Sequence, residues 1–235
     1  MDLSIIIPVF NEEKTVATVA AAALKVDVPG VDDREIVIVN DGSTDGTAGI
    51  VDRLAREEPR IIVITQPKNR GKGAALSRGF AEAKGDIVLI QDADLEYNPE
   101  EYPVLLEPIL QGRADVVYGS RFITGRSHRV LYFWHSVGNT MLTFASNMLT
   151  DLNLTDIETG YKVFRRDIIA RICIRERGFG VEPEITAKIA RLRPRPRIYE
   201  VGISYSGRTY EEGKKIGWKD AVRALWCIVR YNVMG

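Results

Sequence analysis

The first 120 residues contain five short runs in which nearly every position is apolar, separated by stretches that mix alanine with charged and polar residues. Continuous runs rich in Ile and Val are typical of strands covered on both faces, as in a parallel sheet. The predicted strands are 3–9, 35–40, 60–65, 86–91 and 115–120, and the predicted helices are 12–25, 44–57, 72–84 and 100–111. This alternation predicts a doubly wound α/β fold of the nucleotide-binding type. We expect Asn11 to cap the first helix and Ser43 or Thr44 to cap the second.

After residue 120 the pattern changes. Residues 160–172 and 181–193 predict a short strand and two helices, and 198–206 predicts a further strand. The last stretch has apolar residues at helical spacing, with Trp218 and Trp226 among them.

Segment 130–150 contains no Asp, Glu, Lys or Arg, and its length would suit a membrane span. Other residues make it too polar for one. They include His135, Ser136, Asn139, Ser146 and Asn147. The segment is therefore either a partly buried helix or a helix lying in a membrane interface, anchored by the aromatic residues 132–134. In the second case Arg126, His128 and Arg129 would suit anionic headgroups.

The charge balance narrows the class of protein. Thirty-two basic and 32 acidic residues give a formal net charge of zero, which argues against a general nucleic-acid binder. The two cysteines, Cys173 and Cys227, are far apart, which favours a reducing compartment. Asp2 stands where a signal peptide would carry basic residues. We therefore expect a cytoplasmic protein without a nucleic-acid partner.

Three of the predicted strands end in polar clusters: PVFNEE, VNDGSTDGT and QDADLE. In an open parallel sheet, ligands bind beyond the carboxyl ends of the strands. Pro8 cannot donate to a sheet ladder, so it marks where a binding loop can begin. Asp41 stands where an acid contacts a base or ribose hydroxyl in dinucleotide folds, although DGSTDGT alone is an ordinary turn and helix cap.

The third cluster places Asp92, Asp94 and Glu96 at alternate positions. Like charges this close raise one another's pKa, so the arrangement calls for a cation. Mg2+ and Mn2+ prefer oxygen ligands and take one or two carboxylates together with phosphate oxygens from a substrate. The cluster predicts a divalent-metal site that holds a diphosphate.

The glycine-rich stretch NRGKGAALSRGF, residues 69–80, lacks the spacing of a phosphate-binding loop and of a dinucleotide fingerprint. Two interpretations stay open: the helix that follows Gly71 attracts phosphate through its N-terminus, or the glycines allow close packing.

Taken together, IIIPVFNEE, IVNDGSTDGT, the glycine-rich stretch and IQDADLEYNPE resemble the signature of glycosyltransferase family 2 in order and spacing. GSRF, TGYKVFRRD, FGVEPEI and GRTYEEGKKIGW resemble its polyprenyl-phosphate sugar synthase branch, which includes dolichol-phosphate mannose and glucose synthases. The resemblance implies a GT-A fold, which is an α/β fold with a mostly parallel central sheet flanked by helices. It implies a single domain, 1–235, with a nucleotide-sugar-binding half at 1–120. The acceptor-binding half, 121–235, would carry interfacial helices at 130–150 and 217–233.

The resemblance also implies residue roles in donor binding. Asp92 and Asp94 would bind Mg2+ or Mn2+ bridging the donor diphosphate, with Ala93 packing nearby. Relatives often have Gln where Glu96 stands, and a carboxylate there would add a metal ligand. The nucleoside would be held by Pro8, Phe10, Asn11, Glu12, Val39 and Asp41.

Arginines are the expected phosphate ligands, because their planar fork suits phosphate oxygens. Arg208 matches the family arginine that clamps the donor diphosphate, with Lys214 or Lys215 as a helper. Arg121, in GSRF, is the first candidate for gripping the acceptor phosphate, and Arg129 is the second.

The implied reaction is an inverting transfer of a hexose, mannose favoured and glucose next, from a nucleotide diphosphate sugar to a polyprenyl phosphate. Asp94, Arg121 and Arg208 would be the catalytic residues. A lipid monophosphate with a second pKa of about 6 is largely dianionic at neutral pH and needs no general base. The sequence lacks the C-terminal transmembrane helices of many relatives. We therefore expect peripheral attachment at the inner face of a membrane, directly or through a membrane partner protein.

Two other functions stay open. A family 2 transferase acting on a sugar hydroxyl would need a carboxylate base, and Glu158 or Asp156 would supply it. A non-catalytic nucleotide-sugar-binding module is the third possibility. Glu182 and Glu184 would either shape the sugar pocket or start a helix.

Overall fold

The computed structural model of the chain describes residues 1–123, 129–130, 132–207 and 218–234. The strands are β1 (Leu3–Val9), β2 (Arg34–Asn40), β3 (Ile61–Thr65), β4 (Ile87–Ile90), β5 (Val116–Ser120), β6 (Lys162–Arg165) and β7 (Ile198–Gly202). The helices are α1 (Val16–Lys25), α2 (Thr47–Glu57), α3 (Lys72–Glu82), α4 (Tyr102–Leu110), α5 (Phe133–Thr150), α6 (Arg166–Ile169), α7 (Val181–Arg191) and α8 (Trp218–Val229). A short 3-10 helix at Pro99–Glu101 precedes α4, and a π-helical turn at Arg230–Met234 follows α8.

The strands form one sheet in the order β3-β2-β1-β4-β6-β5-β7. Strand β6 runs antiparallel to β4 and β5, and the other neighbouring strands are parallel. The five strands predicted in the first half are confirmed to within one residue at each end. The mostly parallel sheet with flanking helices confirms the predicted α/β class.

The sheet separates two apolar layers, because successive side chains of a strand point to opposite faces. Ile5 and Ile7 of β1 lie in one layer with Val16 of α1. Ile6 lies in the other layer with Leu76 of α3. All five side chains are fully buried, which explains why β1 is apolar at almost every position rather than at alternate ones.

The predicted helix caps are wrong. Helix α1 begins at Val16, five residues beyond Asn11. The Asn11 side chain instead accepts a hydrogen bond from Thr44 N at 2.8 Å, so it joins the loops that follow β1 and β2. Helix α2 begins at Thr47, beyond both Ser43 and Thr44. Hydrogen bonds between neighbouring strand-end loops replace the local caps that the sequence suggested.

Helix α5 has the reverse of the usual arrangement, in which a helix buries its apolar side. Its buried residues are Asn139, Thr143, Ser146 and Thr150, all polar. Helix α8 packs beside it. Among their described side chains, the two helices expose nine large apolar ones, which we call the apolar face: Phe133, Trp134, Met141, Phe144, Met148, Leu149, Val222, Leu225 and Trp226. Within the described residues, no helix is long and apolar enough to cross a lipid bilayer.

Candidate active site

The carboxyl ends of β1, β2 and β4 lie side by side, because these three strands are neighbours and parallel. The polar clusters that follow them are therefore brought to one edge of the sheet. This is the arrangement that the strand-end motifs predicted.

Asp41 holds the glycine-rich loop in place. Its Oδ1 accepts hydrogen bonds from Arg70 N at 2.8 Å and Gln66 Nε2 at 3.0 Å, and its Oδ2 accepts one from Gly71 N at 2.7 Å. Burial raises the pKa of this carboxyl group above its ordinary value, although the two backbone donors oppose the rise. Asp41 thus shapes the loop beside the expected nucleoside site, and its direct contact with a nucleoside stays a prediction.

The other predicted nucleoside residues lie on or just after β1 and β2. Pro8 and Phe10 are partly exposed at the end of β1. Glu12 N donates to Thr47 Oγ1 at 3.0 Å, which ties the first loop to α2. Val39 differs, because its side chain is fully buried in the layer beneath α3. Contact of Val39 with a nucleoside stays a prediction.

The glycines of residues 69–80 serve close packing. A Cβ on Gly71 or Gly73 would overlap the backbone of Arg177 and Glu176. The carbonyl of Arg177 accepts hydrogen bonds from Gly73 N at 2.6 Å and Ala74 N at 3.3 Å. These donors at the start of α3 are therefore engaged, and the packing interpretation explains the glycines better than phosphate binding at this helix end.

Asp92, the first acid of the sequence Asp92–Ala93–Asp94 (the DAD motif), is paired with a lysine. Lys72 Nζ lies 2.8 Å from Asp92 Oδ1 and 3.1 Å from Glu182 Oε1, and Lys162 is paired with the other Glu182 oxygen. Burial alone would lower the pKa of Lys72. The negative charges of Asp92 and Glu182 raise it by a larger amount, so the pKa of Lys72 lies above its ordinary value. Burial raises the pKa of Glu182, but the two lysines lower it below its ordinary value. The four groups form a charge-balanced network under the site.

The three acids predicted to bind metal do not converge. Asp92 faces Lys72, Asp94 Oδ1 accepts a hydrogen bond from Glu96 N at 3.2 Å, and Glu96 Oε2 accepts one from Tyr205 Oη at 2.6 Å. Among the described residues, no three His, Cys, Asp or Glu side chains are grouped to hold an ion.

Two carboxylates are enough for Mg2+ or Mn2+ when a substrate diphosphate supplies further oxygens. Asp92 and Asp94, on one loop at the sheet edge, fit such a site by the chemistry of their oxygens. Glu96 as a third ligand finds no support in this arrangement. Ala93 lies between them, buried in the apolar layer, as expected of a residue that packs nearby.

Arg121 directly follows β5, which lies on the other side of β4 from β2 and Asp41. Its Nε and Nη2 donate to the two oxygens of Asp156 at 2.6 and 2.8 Å, and Nη2 also lies 3.3 Å from Asn139 Oδ1. Its Cζ lies 5.1 Å from the ring centre of Tyr205. Asp156 is fully buried, and both of its oxygens accept hydrogen bonds from Arg121. It is therefore not placed to act as a base.

The remaining phosphate ligands are placed only in part. Arg129 is exposed, and its Nη1 donates to Gly207 O at 3.0 Å. It lines a cleft of about 570 Å3 together with Leu95, Tyr97 and Tyr205. The predicted ligands Arg208, Lys214 and Lys215, and the headgroup candidates Arg126 and His128, lie outside the described residues.

Sequence reasoning missed the two network lysines. The available signal was the position of Lys162 between the apolar residues Tyr161 and Val163, at the start of β6. The structure shows that Lys162 is fully buried, and a buried lysine requires an acidic partner. Glu182 is that partner. Glu184 has a different role, since its two oxygens accept hydrogen bonds from Arg175 N at 2.8 Å and Glu176 N at 2.7 Å.

Comparisons with known proteins agree with the resemblance. The profile of glycosyl transferase family 2 matches residues 4–173. The chain is 32% identical over 222 residues to the undecaprenyl-phosphate mannosyltransferase of Micrococcus luteus, which covers 90% of this chain and 86% of that protein. It is 31% identical over 203 residues to a dolichyl-phosphate beta-glucosyltransferase of Trichomonas vaginalis, which covers 81% of this chain and 62% of that protein.

The fold is also that of solved glycosyltransferases. The crystal structure of glucosyl-3-phosphoglycerate synthase from Mycobacterium tuberculosis, in complex with Mn2+ and uridine-diphosphate-glucose, matches with a TM-score of 0.71 at 21% identity, covering 98% of this chain and 79% of that one. Four relatives, the Trichomonas protein among them, are longer, and the chain spans 61–62% of their length. The GT-A fold and the family profile agree, and the chain belongs to glycosyltransferase family 2.

Proposed function

We propose that this protein is an inverting hexosyltransferase that moves a sugar from a nucleotide diphosphate sugar to a polyprenyl phosphate. The observation that carries the proposal is the position of Asn139. On the buried side of α5 it accepts a hydrogen bond from Arg121, the proposed acceptor-phosphate ligand. The outward side of the same helix carries Phe133 and Trp134, which are 70% and 79% exposed. Helix α5 thus contacts Arg121 on its buried side and presents an apolar surface suited to lipid on its outward side.

The donor would lie at the edge of the sheet between Asp41 and Asp92. Mg2+ or Mn2+ held by Asp92 and Asp94 would stabilise the charge that builds on the diphosphate as it leaves. Arg208 and Lys214 are proposed as further diphosphate ligands, because cations directed at developing charge lower the barrier most effectively.

The acceptor phosphate would be oriented by Arg121, whose planar fork is held rigid by Asp156. The hydrogen bonds from this guanidinium to protein oxygens come from Nε and Nη2, and we propose that Nη1 donates to the acceptor phosphate. A phosphate oxygen would form the new bond to the anomeric carbon as the bond from that carbon to the diphosphate breaks. No proton has to be removed, because a phosphate monoester with a second pKa of about 6 is mostly dianionic at neutral pH.

The apolar face is proposed to lie in the headgroup region of a membrane on its cytoplasmic side. Exposed apolar patches of this kind mark membrane or protein contacts, and aromatic residues are enriched at membrane interfaces. Arg129 is exposed near the first residues of α5 and suits an anionic headgroup. A membrane partner protein that covers the same face is the alternative.

Mannose is the proposed sugar and glucose the second candidate, in keeping with the names of the relatives above. The experiment is a transfer assay with Mn2+, in which GDP-mannose and UDP-glucose are each offered with polyprenyl phosphate in vesicles or with free mono- and oligosaccharides. We expect a lipid-linked hexose from one donor. Transfer to a saccharide but not to the lipid would support a hydroxyl acceptor instead, and donor binding without transfer to either would support a non-catalytic module.

A further inference from the structure

The segment between α5 and β6 connects the two sides of the proposed site. At one end, Asp156 is the partner of Arg121 on the acceptor side. At the other end, Gly160 lies so close to Asp92 that a Cβ on it would overlap Asp92 Oδ2. Glu158 is midway between these two residues in the sequence. A sugar that passes from a diphosphate at Asp92 to a phosphate at Arg121 must cross the space between them.

Glu158 differs from the other acids around it. Asp156 is paired with Arg121, Glu182 with Lys72 and Lys162, and both oxygens of Glu184 accept backbone hydrogen bonds. Glu158 Oε1 is buried and has no hydrogen-bond partner among the described residues. Of the three acids just named, only Glu182 also has such an oxygen, and that oxygen lies 3.1 Å from Lys72 Nζ. A buried polar oxygen normally has a partner, and one without calls for an explanation such as a ligand.

We propose that Glu158 hydrogen-bonds a hydroxyl group of the hexose under transfer and contributes to the choice of sugar. The inference rests on the proposed function and adds a specificity residue to it. Hexose hydroxyls are good donors to a carboxyl oxygen, and stereoisomers differ in where those donors point. A site that hydrogen-bonds a substrate hydroxyl discriminates strongly against a sugar that cannot fill it, because the polar group is then left unpaired.

A purely structural role explains Glu158 less well. A structural acid at this depth would be expected to carry a cation or amide partner, as its three neighbours do. A general-base role is not required by a phosphate acceptor. The hexose is the component of the reaction that remains, and its hydroxyl groups need hydrogen-bond acceptors such as the Glu158 carboxyl group.

The test compares binding of a nucleotide sugar with binding of its nucleoside diphosphate, by isothermal titration calorimetry with Mn2+. The pairs are GDP-mannose with GDP and UDP-glucose with UDP. We expect Glu158→Ala to weaken binding of the cognate nucleotide sugar by about 10- to 100-fold, as for a lost hydrogen bond to a buried group, and to leave the diphosphate affinity unchanged. Glu158→Gln, which keeps one acceptor oxygen and nearly the same shape, should show a smaller loss.

Glu57→Gln, at an exposed acid of α2, is the matched control and should bind both ligands as the wild type does. Equal affinity of wild type and both Glu158 variants for the nucleotide sugar would overturn the inference and leave the proposed function standing. A parallel loss for nucleotide sugar and diphosphate would overturn it too, by showing a general disturbance of the site. Absence of nucleotide-sugar binding by the wild type would overturn the proposed function itself.

Discussion

Lys72 and Asp92 form a largely buried ion pair at the sheet edge, with Lys72 Nζ 2.8 Å from Asp92 Oδ1. The lysine thus places a positive charge against the first acid of the DAD motif. Glu182 lies 3.1 Å from the same Nζ and connects the pair to α7. A metal ion bound at Asp92 would have to share this carboxylate with the lysine, and two cations beside one carboxylate repel each other.

Lys72→Met is therefore expected to strengthen Mn2+ binding in the absence of nucleotide by about tenfold, equivalent to about 1.4 kcal/mol. The substitution removes the charge and keeps an apolar stem of similar length. Titration with Mn2+ followed by electron paramagnetic resonance measures the change. Lys84→Met, at an exposed lysine, is the control and should leave the affinity as it is. An unchanged affinity in Lys72→Met would mean that Mn2+ binds away from Asp92.

Asp94→Asn is expected to abolish transfer and to lower the free energy of unfolding by less than about 1 kcal/mol, because Asp94 is not deeply buried. Glu96→Gln is the matched comparison. Its amide oxygen can keep the hydrogen bond from Tyr205 Oη, so we expect activity within about threefold of the wild type. Initial rates with saturating Mn2+ and donor test both. Equal losses in the two variants would identify Glu96 as a metal ligand after all.

The strands of the first half were predictable because each is buried on both faces, so its apolar run is visible in the sequence without knowledge of its neighbours. The placement of the strand-end motifs follows from parallel pairing alone. The position of β6 between β4 and β5 was not predictable, because it depends on pairing of Phe164 with Val88 and Val116, residues far away in the chain.

Within the site, Asp92 and Asp94 could be located from the sequence, but the lysine beside them could not. Lys72 reaches Asp92 only because α3 is packed against residues 176–177 and α7 brings Glu182 to the same place. The engagement of Asp156 and Glu96 by Arg121 and Tyr205 likewise depends on tertiary contacts. For the same reason, the apolar content of 130–150 could not show which side of α5 would face outward.

The pH dependence of stability should contain a contribution from Glu158. Burial, reinforced by the Glu182 charge, raises the pKa of Glu158 to about 7. The folded protein therefore retains a proton that the unfolded chain loses near pH 4.5, so the free energy of unfolding falls as pH rises from about 4.5 to about 7. Glu158→Gln lacks this proton, and its stability relative to wild type should increase over that window by about 3 kcal/mol.

Urea unfolding of both proteins at several pH values, in metal-free buffer, measures this difference. Comparison of the two proteins cancels the titration of all other groups. Parallel stability curves between pH 4.5 and pH 7 would show that Glu158 is ionised normally in the folded state.

The apolar face should be required for membrane contact and dispensable for donor binding. Replacing Phe133 and Trp134 together by Ala is expected to weaken binding to anionic vesicles by about 2 kcal/mol, because each ring contributes up to about 1.5–3 kcal/mol when fully buried. Co-sedimentation with vesicles measures it. Tyr199→Ala, at an exposed aromatic of β7, is the control. Equal vesicle binding by all three proteins would assign the apolar face to a protein partner.

The most direct measurement is the covalent structure of the product. Wild-type protein, Mn2+, the nucleotide sugar and polyprenyl phosphate are combined in vesicles, and the lipid product is examined by mass spectrometry and by phosphorus and proton NMR. We expect a hexose joined through its anomeric carbon to the lipid phosphate, with the anomeric configuration inverted relative to the donor. A product linked to a hydroxyl group, or one with the donor's configuration retained, would contradict the proposed transfer to a phosphate.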